Sequence, residues 1–175
     1  MGVPVDAIDA PLAPEQLARR WRAMCDDPMF EDIAAKIELT EWGEILMSPV
    51  GKSHGIAAMC AAEALRQALG GHTMGKVGIT TPIGVRAPDV AWCSDRYLAS
   101  HPEETPLSTA PEICVEIVSA SNALPKLREK AMAYVHAGAV EAWLIYPQSR
   151  QVGIYAREGR KATTSYAVDP AKLVG

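Results

Sequence analysis

The spacing of apolar and polar residues changes several times along the chain, and each change marks an element. After Pro14, Leu17, Trp21 and Met24 recur at helical spacing, with Arg19, Arg20 and Arg22 mostly on other faces. Asp26-Asp27-Pro28 ends that helix, and Phe30 and Ile33 start a second short one. From Lys36 to Met47 the period drops to two. Ile37 and Leu39 alternate with polar residues, Glu41-Trp42-Gly43 supplies a turn, and Glu44 to Met47 returns as the second arm of a hairpin. Helical spacing resumes from His54 to Leu69, with Ala58, Ala61, Ala62, Leu65 and Leu69 on one face, and Gly70-Gly71 stops it.

The second half has strand character. Lys76 to Ile83 and Val85 to Trp92 form two strands broken around Gly84. Pro88 falls inside the second, so that strand lies at an edge, is bulged, or properly begins at Asp89. Asp95 to Thr109 is a polar loop. Ile113 to Val118 sets five apolar residues around one glutamate, the pattern of a strand buried on both faces. Ser121 or Asn122 caps a helix with Pro125 in its first turn, running to about His136 and ended by Gly138. Ala142 to Tyr146 is a second buried strand, Val152 to Tyr155 a shorter one, and one more strand at most follows near Tyr166. This order predicts a single α/β (α+β) domain over 1–175, with helices packed on a central mixed sheet and a loose N-terminal arm over 1–13.

Composition acts mainly by exclusion. Apolar residues make up 49% of the 175, which excludes a disordered chain. No run approaches the roughly 20 apolar residues of a membrane-spanning helix. Met1 to Leu12 carries two aspartates and no lysine or arginine, unlike a secretory or transit segment, so a cytoplasmic protein is expected. Cys25, Cys60, Cys93 and Cys114 are scattered without a C-x-x-C pair and are expected to be small buried hydrophobes. The net charge is −4 but unevenly spread. Residues 1–120 hold 9 Lys+Arg against 17 Asp+Glu, whereas residues 121–175 hold 8 against 4. A local basic surface can serve a polyanion despite an acidic total, and a solvated C-terminal face gives the same counts.

Chemistry concentrates between Pro88 and Tyr134. Asp89 opens one strand and Glu116 lies within another, so neighbouring strands would bring the two carboxylates together at one end of the sheet. Two such charges about 4 Å apart repel by roughly 4 kcal/mol at an effective dielectric near 20, so one protonates or a cation sits between them. Oxygen-only ligands favour Mg²⁺ or Mn²⁺ over Zn²⁺. Lys126, Lys130 and Tyr134, spaced by four, form one helical stripe that would run past the end of the Glu116 strand. Lys130 then offers a charge that stabilises a phosphodiester's transition state. Glu44 is a candidate further metal ligand, and His54 a candidate phosphate or water ligand. Structural roles fit the same residues: Glu116 paired with Arg86, Asp89 as a turn or cap residue, and Lys130 as a plain surface lysine. Gly51-Lys52-Ser53 is not a P-loop, because Leu46 stands where the first glycine is needed, and neither G-x-S-x-G nor H-E-x-x-H occurs.

Taken together, these residues resemble a known pattern. Gly43-Glu44-Ile45, Ser48-Pro49, His54, Pro88-Asp89-Val90, Val115-Glu116-Ile117, Ser119, Lys130, Tyr134, Gly138 and Trp143-Leu144 follow the order of the Uma-type restriction-endonuclease family, within the PD-(D/E)XK nuclease superfamily. The resemblance spans about residues 35–157. It implies a restriction-endonuclease-like core and a Mg²⁺-dependent site with Asp89, Glu116 and Glu44 as metal ligands. Ser119, Tyr134, His54 and Lys126 are possible supporting residues. The superfamily lysine two residues after the glutamate is Val118 here, and the resemblance points to Lys130 in its place. Lys126 and Tyr146 stand where the family usually has acidic residues. The expected function is metal-dependent DNA endonuclease, with DNA as partner and a homodimer suited to cutting both strands. The alternatives are a nuclease fold kept for nucleic-acid or protein binding, and an assembly protein that pairs through its Ala-rich helix.

Overall fold

The computed structural model describes residues 10–31, 33–119 and 122–174. A mixed six-stranded sheet organises it. In spatial order the strands are β10 (Gly159–Lys161), β9 (Gln151–Ala156), β8 (Glu141–Tyr146), β7 (Ile113–Ile117), β6 (Val90–Cys93) and β3 (His72–Met74). Only β7 and β8 run parallel. Helix α4 (Leu124–His136) makes the crossover that a parallel pair requires. Strand side chains alternate between two cores. Cys114, Ala142 and Leu144 pack with Leu127, Ala131, Tyr134 and Val135 of α4 on one face. On the other, Val115, Ile117, Trp143 and Ile145 pack with Ala61 and Leu65 of α2 (Lys52–Leu69). All five residues of β7 are buried, as its apolar run predicts.

A third, smaller core sits beside this sandwich. Leu17, Trp21 and Met24 of α1 (Pro14–Cys25) pack on Leu39 and Val85. Leu39 belongs to the hairpin of β1 (Ala35–Leu39) and β2 (Ile45–Pro49), and Val85 to the hairpin of β4 (Ile79–Thr81) and β5 (Gly84–Arg86). Gly84 lets the two hairpins touch. Its φ is +113°, and a Cβ there would come within 2.1 Å of the Leu39 carbonyl oxygen. With Leu39 directed into this core, Lys36 and Glu38 on the other face of β1 are turned inward and buried.

Several local expectations need correction. Leu12 and Ala13 are not loose: Leu12 donates its N–H to Glu41 at 2.8 Å, and Gln16 accepts from the Ala13 N–H. Residues 1–9 of the expected arm, and Ser121 as a helix cap, lie outside the described residues. Asn122 does not cap α4 through its side chain, because its Oδ1 accepts from Ser119 instead. Phe30 ends a 3-10 turn, Pro28–Phe30, and the next element among the described residues is strand β1. The polar loop after Asp95 begins with a short helix, α3 (Asp95–Ser100), capped by Ser94. The last strand lies at Gly159–Lys161, and Tyr166 instead packs edge-on against Trp92. Cys93 and Cys114 are buried as expected, but Cys25 is exposed. No helix among the described residues is long and apolar enough to cross a membrane.

Candidate active site

The antiparallel register of β6 and β7 builds the centre of the site. Val90 stands opposite Val115, so the preceding Asp89 falls beside Glu116, at the C-terminal end of β7. The Asp89 N–H donates to the Val115 carbonyl at 2.9 Å, and its Oδ2 accepts the Ile117 N–H at 2.8 Å. Pro88 precedes the paired segment, so its missing N–H costs no ladder bond.

Two lysines neutralise the carboxylates. Lys36 Nζ, from β1, lies 2.8 Å from Asp89 Oδ1 and 2.8 Å from Glu116 Oε2. Lys130 Nζ, from the second turn of α4, lies 2.9 Å from Glu116 Oε1 and 2.6 Å from Glu38 Oε1. Tyr134, one turn further, donates its hydroxyl to Glu116 Oε1 at 2.8 Å, and His54 Nε2, from the first turn of α2, stands 3.0 Å from Asp89 Oδ2. Glu38 also accepts the Ala87 N–H at 2.7 Å, with Arg86 3.9 Å away. A cavity of about 360 Å³ opens onto this cluster, bounded by Lys36, Glu38, His54, Asp89, Glu116, Ser119 and Lys130 among others.

The electrostatics follow from burial and pairing. Burial alone would raise the Asp89 pKa. The His54 hydrogen bond, the Lys36 ammonium and the Ile117 N–H outweigh it and hold the carboxyl well below the usual range. Burial alone would lower the Lys36 pKa, but Glu116, Asp89 and Glu38 hold it raised. Burial first, and then Glu116 and Glu38, push the Tyr134 phenol well up, so it stays a hydrogen-bond donor.

The expected set is therefore brought together in most of its members. Asp89, Glu116, Lys130, Tyr134 and His54 meet, and Ser119 borders the cavity. Lys126 is exposed and borders an adjoining opening shared with Glu38, Arg86 and Lys130. The stripe Lys126–Lys130–Tyr134 thus grades from solvent into the core. Glu44 stands exposed at the hairpin turn, where its carboxylate accepts the Thr40 hydroxyl at 3.3 Å, and it does not border the cavity that opens onto the cluster. The acid that the N-terminal hairpin brings to the cluster is Glu38. Glu116 takes Lys36, Lys130 and Tyr134 as partners, not Arg86, which lies nearer Glu38. Lys36 and Glu38 escaped the sequence reading because alternation with Ile37 and Leu39 marks them as the solvent face of a hairpin. Their one signal is opposite charge two residues apart on that face.

Comparison with known proteins agrees with this architecture. No curated protein matches the chain. A solved structure titled as a putative nuclease belonging to DUF820, from Anabaena variabilis ATCC 29413, superposes with a TM-score of 0.62 at 17% identity, covering 79% of this chain and 89% of that one. At that identity the likeness speaks for the fold. The Uma2 family, described as "Putative restriction endonuclease", matches residues 27–174. That match takes in every residue of the cluster from Lys36 to Tyr134, and the chain belongs to the Uma2 family.

Proposed function

We propose that the cluster is the active site of an endonuclease that hydrolyses DNA phosphodiester bonds with a divalent cation, Mg²⁺ or Mn²⁺. The observation that carries this reading is the 2.9 Å contact between Lys130 Nζ and Glu116 Oε1. It brings a lysine from α4 to the carboxylate pair where Val118, half-buried against the apolar core, provides none. An acid–acid–lysine set beside a cavity is what metal-assisted attack on phosphate needs.

The donor set fits such an ion. Asp89 Oδ1 and Glu116 Oε2 converge on one cation position, now taken by the Lys36 ammonium. Mg²⁺ commonly uses one or two carboxylates and completes its shell with water and substrate phosphate, so Asp89 and Glu116 suffice. Bound there, it would polarise a phosphoryl oxygen and acidify a water. The chain's own residues do the rest. Lys130 presents a fixed positive charge to a phosphodiester held in the cavity. Glu38 holds that ammonium in place at 2.6 Å. His54 and the Ile117 N–H fix Asp89, and Tyr134 fixes Glu116 from the core side. Lys126, exposed at the adjoining opening, is the cation there best placed to meet an approaching phosphate. A homodimer in the cytoplasm, cutting both strands of a duplex, belongs to the same reading.

The test is conversion of supercoiled plasmid to nicked or linear DNA. It requires Mg²⁺ or Mn²⁺, stops with chelator, and slows at least about 100-fold in Glu116→Ala. Undiminished cleavage by Glu116→Ala refutes the assignment.

A second reading has its own observation. Every carboxylate oxygen of Asp89 and Glu116 already has a partner within the chain. Among the described residues, no group of three His, Cys, Asp or Glu side chains is set to hold a metal. A nuclease fold kept for binding without turnover has the same features. It predicts DNA binding that weakens steeply with salt and yields no metal-dependent product.

A further inference from the structure

Lys36 is the member of the cluster that the proposed chemistry does not use. Its ammonium stands between Asp89 and Glu116 at 2.8 Å from each, with the side chain 8% exposed. The remaining oxygens of both acids are occupied: Asp89 Oδ2 by His54 and the Ile117 N–H, Glu116 Oε1 by Lys130 and Tyr134. Of the four oxygens of Asp89 and Glu116, the two that face Lys36 are the ones held by a single side-chain ammonium.

We propose that Lys36 is a displaceable internal counter-ion, which competes with a divalent cation for the single position between Asp89 and Glu116. This inference rests on the metal-dependent reading above and adds to it how the ion gains entry. Two cations cannot share one position of that size, because a buried like-charge contact is strongly unfavourable. Lys36 can leave without unfolding the sheet. Both acids belong to the central sheet segment, whereas Lys36 comes from the separate β1–β2 hairpin. Its flexible four-carbon stem borders the cavity lined by Ser48, Pro49 and His54, which gives the displaced ammonium room.

Two consequences follow. Without metal, the acid pair is neutralised and the fold needs no ion. With metal, a positive charge is moved from the acids into the cavity where a phosphodiester would sit. Metal and DNA should then strengthen one another's binding, by linkage.

The experiment is calorimetric titration of Mn²⁺ into the full chain, comparing wild type, Lys36→Met and Lys36→Arg. Lys36→Met should bind Mn²⁺ at least tenfold more tightly than wild type, and Lys36→Arg, which keeps the charge, no more tightly. Equal affinity in wild type and Lys36→Met overturns the inference and leaves the metal-dependent reading standing. No Mn²⁺ binding by any of the three overturns both. If Lys36→Met does not fold, wild type decides. Acetylation of Lys36, followed by mass spectrometry, should be slow without metal and at least fivefold faster with Mn²⁺ bound. Unchanged protection with Mn²⁺ bound overturns the inference.

Discussion

Glu116 and Glu141 sit on neighbouring parallel strands, β7 and β8, both buried, and they use their charge in opposite ways. Glu141 has one cation and three neutral donors. Lys161 and the Ser165 N–H bond one oxygen, and Trp143 and Thr164 bond the other, all at 2.7–2.8 Å. Every partner comes from the last 35 residues, so Glu141 ties β10 and the loop after it to the sheet. Glu116 shares its two cations with Asp89 and Glu38, and its partners come from β1 and α4. The cavity reaches Glu116 and does not reach Glu141. A buried carboxylate is therefore not in itself a sign of chemistry. What distinguishes the candidate site is a surplus of acids over the lysines they share, next to space for a substrate.

That contrast can be broken by mutation. The largest expected effect is at Lys130. Lys130→Met should lower DNA cleavage at least about 100-fold in the plasmid assay, by removing the cation proposed for the transition state. Next comes Glu141. Its carboxyl is held at about 2 against an ordinary 4.5, because hydrogen bonds from Lys161, Thr164, Ser165 and Trp143 outweigh burial, which acts the other way. A depressed folded-state pKa contributes stability above pH 4.5 that is lost as pH falls towards about 2. That contribution is about 3 kcal/mol. Denaturant melts of Glu141→Gln should show a loss of that order near neutral pH and a shallower acid dependence, with cleavage per folded molecule unchanged.

Smaller effects sharpen the picture. Tyr134→Phe removes one buried donor from Glu116, and should cost about 1 kcal/mol in the same melts and slow cleavage less than tenfold. Glu44→Gln should change stability by less than about 0.5 kcal/mol and leave cleavage within twofold, because its carboxylate stands exposed at the hairpin turn. A large loss of cleavage in Glu44→Gln would restore it as a site residue.

The sequence carried the parts of this site that follow from local periodicity. Asp89 and Glu116 were legible because a strand start and a buried strand each hold a single acid among apolar residues. Lys130 and Tyr134 were legible because helical spacing puts them on one stripe. Lys36 and Glu38 were not. Alternation in β1 assigns them to an outer face, and only the close approach of β1 to Gly84, a contact 45 residues apart in sequence, turns that face inward. Glu44 took their place for a similar reason: it lies on the same hairpin, and nothing local separates its exposed turn from the docked arm. The short α3 was hidden by prolines and polar residues that read as loop, although Ser94 supplies its cap.

The central claim is that the charge shared around Glu116 performs chemistry while the charge sealed around Glu141 holds structure. The most direct measurement is Mn²⁺-supported plasmid cleavage by wild type, Glu116→Gln and Glu141→Gln, each normalised to its folded fraction. The account predicts at least about 100-fold slower cleavage in Glu116→Gln and a rate within twofold of wild type in Glu141→Gln. Cleavage at the wild-type rate in Glu116→Gln would contradict it.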